Sequence, residues 1–148
     1  MTKYSPQRNI VLYADDDADD LQLVQDAFSE YAREVEVVTV NDGGQALRFL
    51  QSLNEFDPLP CLVILDVNMP IMDGKSVLRE LRTIERYSDV PVVLFTTSSL
   101  PIDKSFAEKY NAGFITKPLH FRQMEQITDE FISHCAEEVR RKIQNKNS

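Results

Sequence analysis

The sequence predicts an α/β fold, a doubly wound parallel sheet of five strands in the order 2-1-3-4-5 with helices on both faces. Short apolar runs alternate with segments of helical periodicity five times along the chain. The central run, residues 61–65, is apolar at every position, which is typical of a strand covered by helices on both faces. Right-handed crossovers then leave few ways to wind such a sheet.

The first two strands are predicted over Asn9–Ala14 and Val35–Val40. Asp17 can cap the helix between them, because side-chain oxygens at this position accept hydrogen bonds from free backbone N–H groups. Apolar residues at helical spacing define this helix and the next one, which follows a turn at residues 41–44. They are Leu21, Val24, Phe28 and Tyr31 in the first helix, and Ala46, Leu47, Leu50 and Leu53 in the second.

The second half of the chain continues the alternation after the strand at residues 61–65. A third helix carries Val77, Leu78, Leu81 and Ile84 and ends at Ser88 and Asp89. A fourth strand spans residues 91–95, a short helix runs from Pro101 to the stop at residues 111–113, and a brief fifth strand spans residues 114–116. The last helix begins at about Phe121 and carries Met124, Ile127, Phe131, Cys135 and Val139 in register.

The length is that of one domain, residues 1–148, with a core at about residues 9–131 and an extended C-terminal helix to about residue 144. A formal net charge of −8 argues against non-specific nucleic-acid binding and against anionic membrane surfaces. Two cysteines, Cys61 and Cys135, have the pattern of buried apolar residues in a reducing compartment. Since nothing resembles a signal peptide or a membrane span, we expect a cytoplasmic protein.

Polar side chains stand where four of the predicted strands end. Asp15 and Asp16 follow the first strand, Asp66 the third, Thr96 the fourth and Lys117 the fifth. The order 2-1-3-4-5 brings these four strand ends to one rim of the sheet, which is where ligands bind in such folds. We therefore expect the five side chains to form one site.

Three carboxylates at this rim need a positive partner. At ~4 Å and an effective dielectric constant of about 20, each pair repels by about 4 kcal/mol. Hard oxygen ligands suit Mg²⁺, and Lys117 adds one fixed positive charge. A carboxylate between these cations, with the Thr96 hydroxyl nearby, is suited to attack phosphorus. Asp66 would then become an aspartyl phosphate.

These motifs resemble the response regulator receiver domain of two-component signalling, a flavodoxin-like fold also seen in stand-alone chemotaxis regulators. The resemblance covers residues 9–131. The matching motifs are Asp15-Asp16, Asp66, Met69-Pro70, Met72-Asp73-Gly74, Thr96, Phe114 and Lys117-Pro118. It implies that Asp66 is the phosphoacceptor, that Asp16 and Asp66 ligate Mg²⁺ directly with Asp15 completing the acidic pair, and that Asn68 contributes its backbone carbonyl. It makes Lys117 the lysine that contacts phosphate.

The resemblance also implies a stand-alone signalling protein and not an enzyme in the usual sense. A histidine kinase or a histidine phosphotransfer protein would supply the phosphoryl group, with self-phosphorylation from small donors and autodephosphorylation. Thr96 and Phe114 would be the switch residues, and the face of helix 4, strand 5 and helix 5 would bind an unknown target or a second copy of the chain. Candidate contacts on that face are Ile102, Phe106 and Tyr110. Thr97 departs from the usual small residue, and its side chain could narrow access to Asp66.

Three alternatives stay open on the sequence. A hydrolase of the haloacid dehalogenase type also forms an aspartyl phosphate with Mg²⁺, but here Asn68 replaces its second aspartate. A pseudo-receiver that binds partners without phosphorylation typically loses an acidic residue, the threonine or the lysine, and none is lost here. A flavodoxin-like cofactor carrier is weaker, since the first strand leads into carboxylates instead of a phosphate-cradling loop.

Overall fold

A computed structural model describes residues 8–135 together with Arg140 and Gln144. The strands are β1 Asn9–Ala14, β2 Val35–Val40, β3 Leu62–Leu65, β4 Val92–Thr96 and β5 Gly113–Thr116. The helices are α1 Ala18–Ala27, α2 Gly43–Ser52, α3 Gly74–Thr83, α4 Pro101–Lys109 and α5 Met124–His134. All neighbouring strands are parallel, and their order β2-β1-β3-β4-β5 confirms the prediction.

The two faces of the sheet have separate apolar cores. Along β1, Val11 and Tyr13 belong to one core and Leu12 and Ala14 to the other, because successive strand residues point to opposite faces. Helices α1 and α5 cover the first face, and α2, α3 and α4 cover the second. The four residues of β3 are all buried, which is why its sequence is apolar throughout.

Aromatic rings organise the core under α1 and α5. Phe131 on α5 packs edge-to-face on Phe95 of β4 at 5.1 Å between ring centroids, and it stacks on Phe28 at 6.0 Å. Tyr13 packs edge-to-face on Phe95 at 6.2 Å. Burial of each such ring stabilises the fold by about 1.5–3 kcal/mol. This core therefore anchors β1 and β4, the two strands that deliver Asp15 and Thr96 to the rim.

Several helices end earlier than their apolar periodicity predicts. Helix α1 ends at Ala27, and Phe28 and Tyr31 lie in a following 3₁₀ turn, where both remain buried. Helix α3 ends at Thr83, because Ile84 adopts an extended conformation before a 3₁₀ turn over Glu85–Tyr87. Periodic burial continues through such turns, so periodicity does not mark the helix end. In the described part of the chain, no helix is long and apolar enough to cross a membrane.

The predicted last helix, from about Phe121 to about residue 144, differs from the structure at its start and at Cys135. A 3₁₀ turn at Phe121–Gln123 precedes α5, and the helix ends at His134 because Cys135 has ψ 158, an extended conformation. Arg140 is helical again, as is Gln144. Val139 lies outside the described residues. Cys135 stays buried as predicted, with its Sγ 3.7 Å from the Sγ of Cys61, and both thiols are free.

Candidate functional site

The structure brings the predicted residues together at the carboxyl rim of the sheet. Asp15 follows β1, Asp66 follows β3, Thr96 ends β4 and Lys117 follows β5. Asp15 and Thr96 are fully buried and Asp66 is 6% exposed, whereas Asp16 is exposed. Buried carboxylates are costly unless they are paired, so this rim is built for charge compensation.

Lys117 is the cation on which the carboxylates converge. Its Nζ lies 2.7 Å from a carboxylate oxygen of Asp15, 2.7 Å from one of Asp20 and 3.2 Å from one of Asp66. Burial lowers the pKa of Lys117, but the hydrogen bonds to Asp15 and Asp20 outweigh it and raise the pKa. The ammonium is thus permanently charged, and its two shortest contacts are not to Asp66.

Asp20 is a member of this cluster that the sequence did not single out. It lies in the first turn of α1, four residues after Asp16, and is 97 residues from Lys117 along the chain. Asp16 precedes the helix and its cap Asp17, so helical spacing did not pair the two residues. The first turn of α1 therefore presents a further carboxylate toward the rim.

Tyr13 is a second such residue, since its place in the apolar run of β1 predicts only a core position. Its hydroxyl donates to Oδ2 of Asp15 at 2.5 Å, and the backbone N–H of Asp17 donates to Oδ1 of Asp15 at 2.9 Å. Burial, and then the hydrogen bond to Asp15, raise the pKa of Tyr13, so the phenol keeps its proton. Residues two apart on a strand point to the same face, which was the signal that pairs Tyr13 with Asp15.

Asp66 has fewer compensating contacts than Asp15. Besides Lys117, it accepts a hydrogen bond of 3.4 Å from the backbone N–H of Asn68. Burial, and then the negative charge of Asp15, raise the pKa of Asp66 to about 6, although Lys117 acts in the opposite direction. Without a metal ion, the positive charge near Asp66 is thus too small to offset burial and the charge of Asp15.

Three carboxylates could share a metal ion. Asp15, Asp16 and Asp66 each offer one oxygen, and these oxygens lie within 4.8 Å of one another. Hard divalent cations that retain water ligands prefer oxygen donors with one side open to solvent, and here Asp16 is the exposed carboxylate. The residues present therefore fit such an ion. The backbone carbonyl of Asn68 as a ligand stays a prediction.

Gly74 permits the loop after Asp66 to fold tightly. A Cβ at this position would lie 2.1 Å from the backbone oxygen of Asp66, so any other residue would displace the loop. The Gly74 N–H donates to the carbonyl of Val67 at 3.1 Å, and Asp73 caps α3 through the N–H of Ser76. The first turn of α3 is thereby fixed directly against Asp66.

The two predicted switch residues lie on neighbouring strands. Oγ1 of Thr96 accepts the backbone N–H of Ser98 at 3.1 Å, and the carbonyl of Thr96 accepts the N–H of Lys117 at 2.8 Å. Phe114 pairs with Leu94 across β4 and β5 and is half-buried against the core under α4. Thr97, the departure from the usual pattern, is exposed.

The predicted contact residues on α4 and at its C-terminal end differ in exposure. Ile102 is 69% exposed. Phe106 and Tyr110 are half-buried, with their rings 4.7 Å apart and packed against the core. Ile102 is therefore the most accessible of the three side chains.

The family model of the response regulator receiver domain matches residues 11–129. The chain belongs to this family. The response regulator Rcp1 of Synechocystis sp. is 34% identical over 142 residues, and the match covers 94% of this chain and 97% of Rcp1.

Solved receiver structures share the fold. The phosphorylated cyanobacterial phytochrome response regulator RcpA matches with a TM-score of 0.76 and 28% identity, over 87% of this chain and 97% of RcpA. The Mn²⁺-bound form of Rcp1 matches with a TM-score of 0.73 and 29% identity, over 82% of this chain and 92% of that one. Both are response regulators, so the fold and the family agree.

This receiver is therefore a protein of two-component signalling, in the class that histidine kinases or phosphotransfer proteins phosphorylate. Receiver-domain homologues such as Rcp1 are signalling proteins and not classical enzymes. Neither the haloacid dehalogenase type nor a cofactor carrier is favoured by these matches. The pseudo-receiver alternative is not favoured either, because the carboxylates, Thr96 and Lys117 are all retained at one rim.

Proposed function

We propose that Asp66 accepts a phosphoryl group from a phosphohistidine, with Mg²⁺ as the divalent cation. The observation that supports this best is the shortage of positive charge around a buried carboxylate, which has Lys117 at 3.2 Å and shares that lysine with Asp15 and Asp20. Mg²⁺ held by Asp15, Asp16 and Asp66 would neutralise the charge that accumulates on the transferring group.

The chain's own residues supply the nucleophile and the positioning. An ionised oxygen of Asp66 attacks phosphorus, a new O–P bond forms, and the P–N bond of the donor breaks with its electron pair leaving on the histidine nitrogen. Lys117 is positioned to neutralise phosphoryl oxygens, because it already contacts Asp66. Water attack on the aspartyl phosphate would later restore the carboxylate.

The proposed switch uses Thr96 and Phe114. A phosphoryl group on Asp66 would draw the Thr96 hydroxyl away from Ser98, and Phe114 would turn into the vacated space. The face of α4, β5 and α5 would change with it. We place the downstream protein target, or a second copy of the chain, on this face, and we place the protein in the cytoplasm.

Intact-mass measurement after incubation with acetyl phosphate and Mg²⁺ tests the phosphoacceptor. We expect one added phosphoryl group in the wild type and none in Asp66→Asn. Asp42→Asn is a matched control, because Asp42 caps α2 through the N–H of Gln45 and is also a carboxylate replaced by an amide. Phosphorylation of Asp66→Asn at the wild-type rate would refute the assignment.

Amide chemical shifts on adding beryllofluoride and Mg²⁺ test the switch. We expect changes at Phe114 and along α4 as well as in the loops around Asp66. Changes confined to those loops would refute the switch while leaving the phosphoacceptor intact.

A further inference from the structure

Asp103 is a buried carboxylate that the proposed transfer does not use. It lies in the first turn of α4 and is 5% exposed. One oxygen accepts from Nζ of Lys75 at 2.7 Å, and the other accepts from Oγ of Ser98 at 2.6 Å. Lys75, Ser98 and Asp103, here called the Asp103 cluster, thus join the first turns of α3 and α4 to the loop after β4.

Ser98 connects this cluster to the switch hydroxyl. Its backbone N–H donates to Oγ1 of Thr96 at 3.1 Å, while its own Oγ accepts the N–H of Leu100 at 3.2 Å. The backbone N–H and the hydroxyl of Ser98 are therefore both engaged in holding the loop in one conformation. Contacts that fix the position of Ser98 therefore also fix the N–H group from which the Thr96 hydroxyl accepts.

Lys75 connects the cluster to the phosphoacceptor loop. It follows Gly74, where an added Cβ would meet the backbone oxygen of Asp66. The Lys75 ammonium also lies 5.4 Å from the ring centroid of Phe106 on α4. The hydrogen bonds from Lys75 and Ser98 hold the pKa of Asp103 below its usual range, against the effect of burial. The carboxylate is thus fully paired and stays charged.

We propose that Asp103 is a positioning residue for Thr96 that acts through Ser98 and keeps the Thr96 hydroxyl engaged with the loop until Asp66 is phosphorylated. The inference rests on the proposed function, since it needs a phosphoryl group at Asp66 as the competing partner. In the proposed switch, the Thr96 hydroxyl leaves the N–H of Ser98 to reach that group. Each state therefore excludes the other, and the Asp103 cluster favours the unphosphorylated one.

Removing Asp103 should make the active conformation easier to reach. Without its carboxylate, Ser98 loses its hydroxyl partner and Lys75 turns to solvent, to which its side chain is already 28% exposed. We expect Asp103→Ala to bind beryllofluoride about 5-fold more tightly or better, at the lower end of typical coupling between sites. Ser98→Ala, which keeps the backbone contact to Thr96 but loses the hydroxyl, should act in the same direction.

A double-mutant cycle with Thr96 tests the inference. Beryllofluoride affinity is measured at saturating Mg²⁺ by amide chemical-shift titration in the wild type, Asp103→Ala, Thr96→Ala and the double variant. We expect the gain from Asp103→Ala to disappear in the Thr96→Ala background. An effect on packing alone would persist in both backgrounds, so the cycle separates positioning from structure.

Controls keep the result interpretable. Lys104→Met removes an exposed lysine from the same helix and should leave the affinity unchanged, whereas Lys75→Met should raise it. If Asp103→Ala does not fold, Asp103→Asn preserves shape and removes the charge. Unchanged affinity in the folded Asp103 variant, or an equal gain in the Thr96→Ala background, overturns the proposal. Absence of beryllofluoride binding in the wild type would overturn the proposed function and, with it, this inference.

Discussion

Two buried carboxylates of this receiver each contact a lysine, but their surroundings shift their pKa values in opposite directions. Asp103 has Lys75 and the Ser98 hydroxyl to itself, and these contacts lower its pKa. Asp66 shares Lys117 with two other carboxylates, and burial with the charge of Asp15 raises its pKa to about 6.

The difference separates a carboxylate in a complete ion pair from a carboxylate with too little positive charge around it. A paired carboxylate stabilises the fold without further partners, as at Asp103. A buried carboxylate with too little positive charge destabilises the metal-free fold, and it gains from any cation or cationic neighbour that binds. The arrangement at Asp66 is thus a cost to stability that suits a phosphoacceptor, and four experiments test this contrast.

Loss of the shared lysine should have the largest effect. Lys117→Met leaves buried carboxylates without their ammonium, so we expect a loss of roughly 3–5 kcal/mol in the free energy of unfolding, measured by urea denaturation. Lys75→Met should cost less, about 1–3 kcal/mol, because Asp103 retains Ser98. An equal or greater cost for Lys75→Met would contradict the ranking of the two sites.

Mg²⁺ should stabilise the protein through the carboxylates around Asp66 and not through Asp103. At 100 times its dissociation constant, Mg²⁺ should raise the free energy of unfolding of the wild type by about 2.7 kcal/mol through preferential binding to the native state. Asp16→Asn should abolish most of this gain, and Asp103→Asn should retain it. Melting curves with Mg²⁺ and with a chelator provide the measurement. A wild-type curve that Mg²⁺ does not shift would remove the metal from the site.

Neutralising each carboxylate should change stability in opposite directions. Without divalent ions at neutral pH, we expect Asp103→Asn to lower the free energy of unfolding by about 2 kcal/mol. Asp66→Asn should raise it by about 1 kcal/mol, because the isosteric amide relieves repulsion with Asp15. Urea denaturation of both variants checks the signs. The same sign for both would show that the two environments do not differ as described.

The pH dependence should show the smallest but most specific difference. Stability from Asp103, whose pKa is lowered by folding, is present above the unfolded pKa and is lost as pH falls through the folded value. The contribution of Asp66 has the opposite sign: it is present below the pKa of an aspartate in the unfolded chain, about 3.9, and is lost as pH rises through about 6. The free energy of unfolding is measured against pH, without metal, for the wild type, Asp103→Asn and Asp66→Asn. Subtracting each variant's curve from the wild-type curve should therefore leave two difference curves of opposite slope.

Sequence reasoning located the fold and the main residues of the candidate site for a topological reason. Parallel strands place all their carboxyl ends at one edge, so residues that follow strands in the chain become neighbours without any knowledge of side-chain packing. Asp15, Asp66, Thr96 and Lys117 were found this way, and the structure joins them within one cluster of contacts. Their chemical roles remain proposals.

Local periodicity was less informative about where helices end. Phe28 and Tyr31 are buried as predicted although they lie in a 3₁₀ turn, because burial of a face continues beyond the last α-helical hydrogen bond. The break at Cys135 had no counterpart in the apolar pattern, since Cys135 is buried in register with Phe131. Backbone geometry at a helix end depends on contacts that the pattern does not encode.

Tertiary packing alone decided which charged groups pair. Lys117 contacts Asp20, 97 residues away in the chain, and Lys75 contacts Asp103, 28 residues away. In the sequence, Lys117 stands before Pro118 and Lys75 after Gly74, so their neighbours indicate turns and not charge partners. A long side chain on a strand end or helix start can reach several acidic residues, so its partner depends on helix placement within a few ångströms. Chain topology determines which strand ends share an edge, but only packed helices determine which carboxylate keeps a lysine to itself and which must share one.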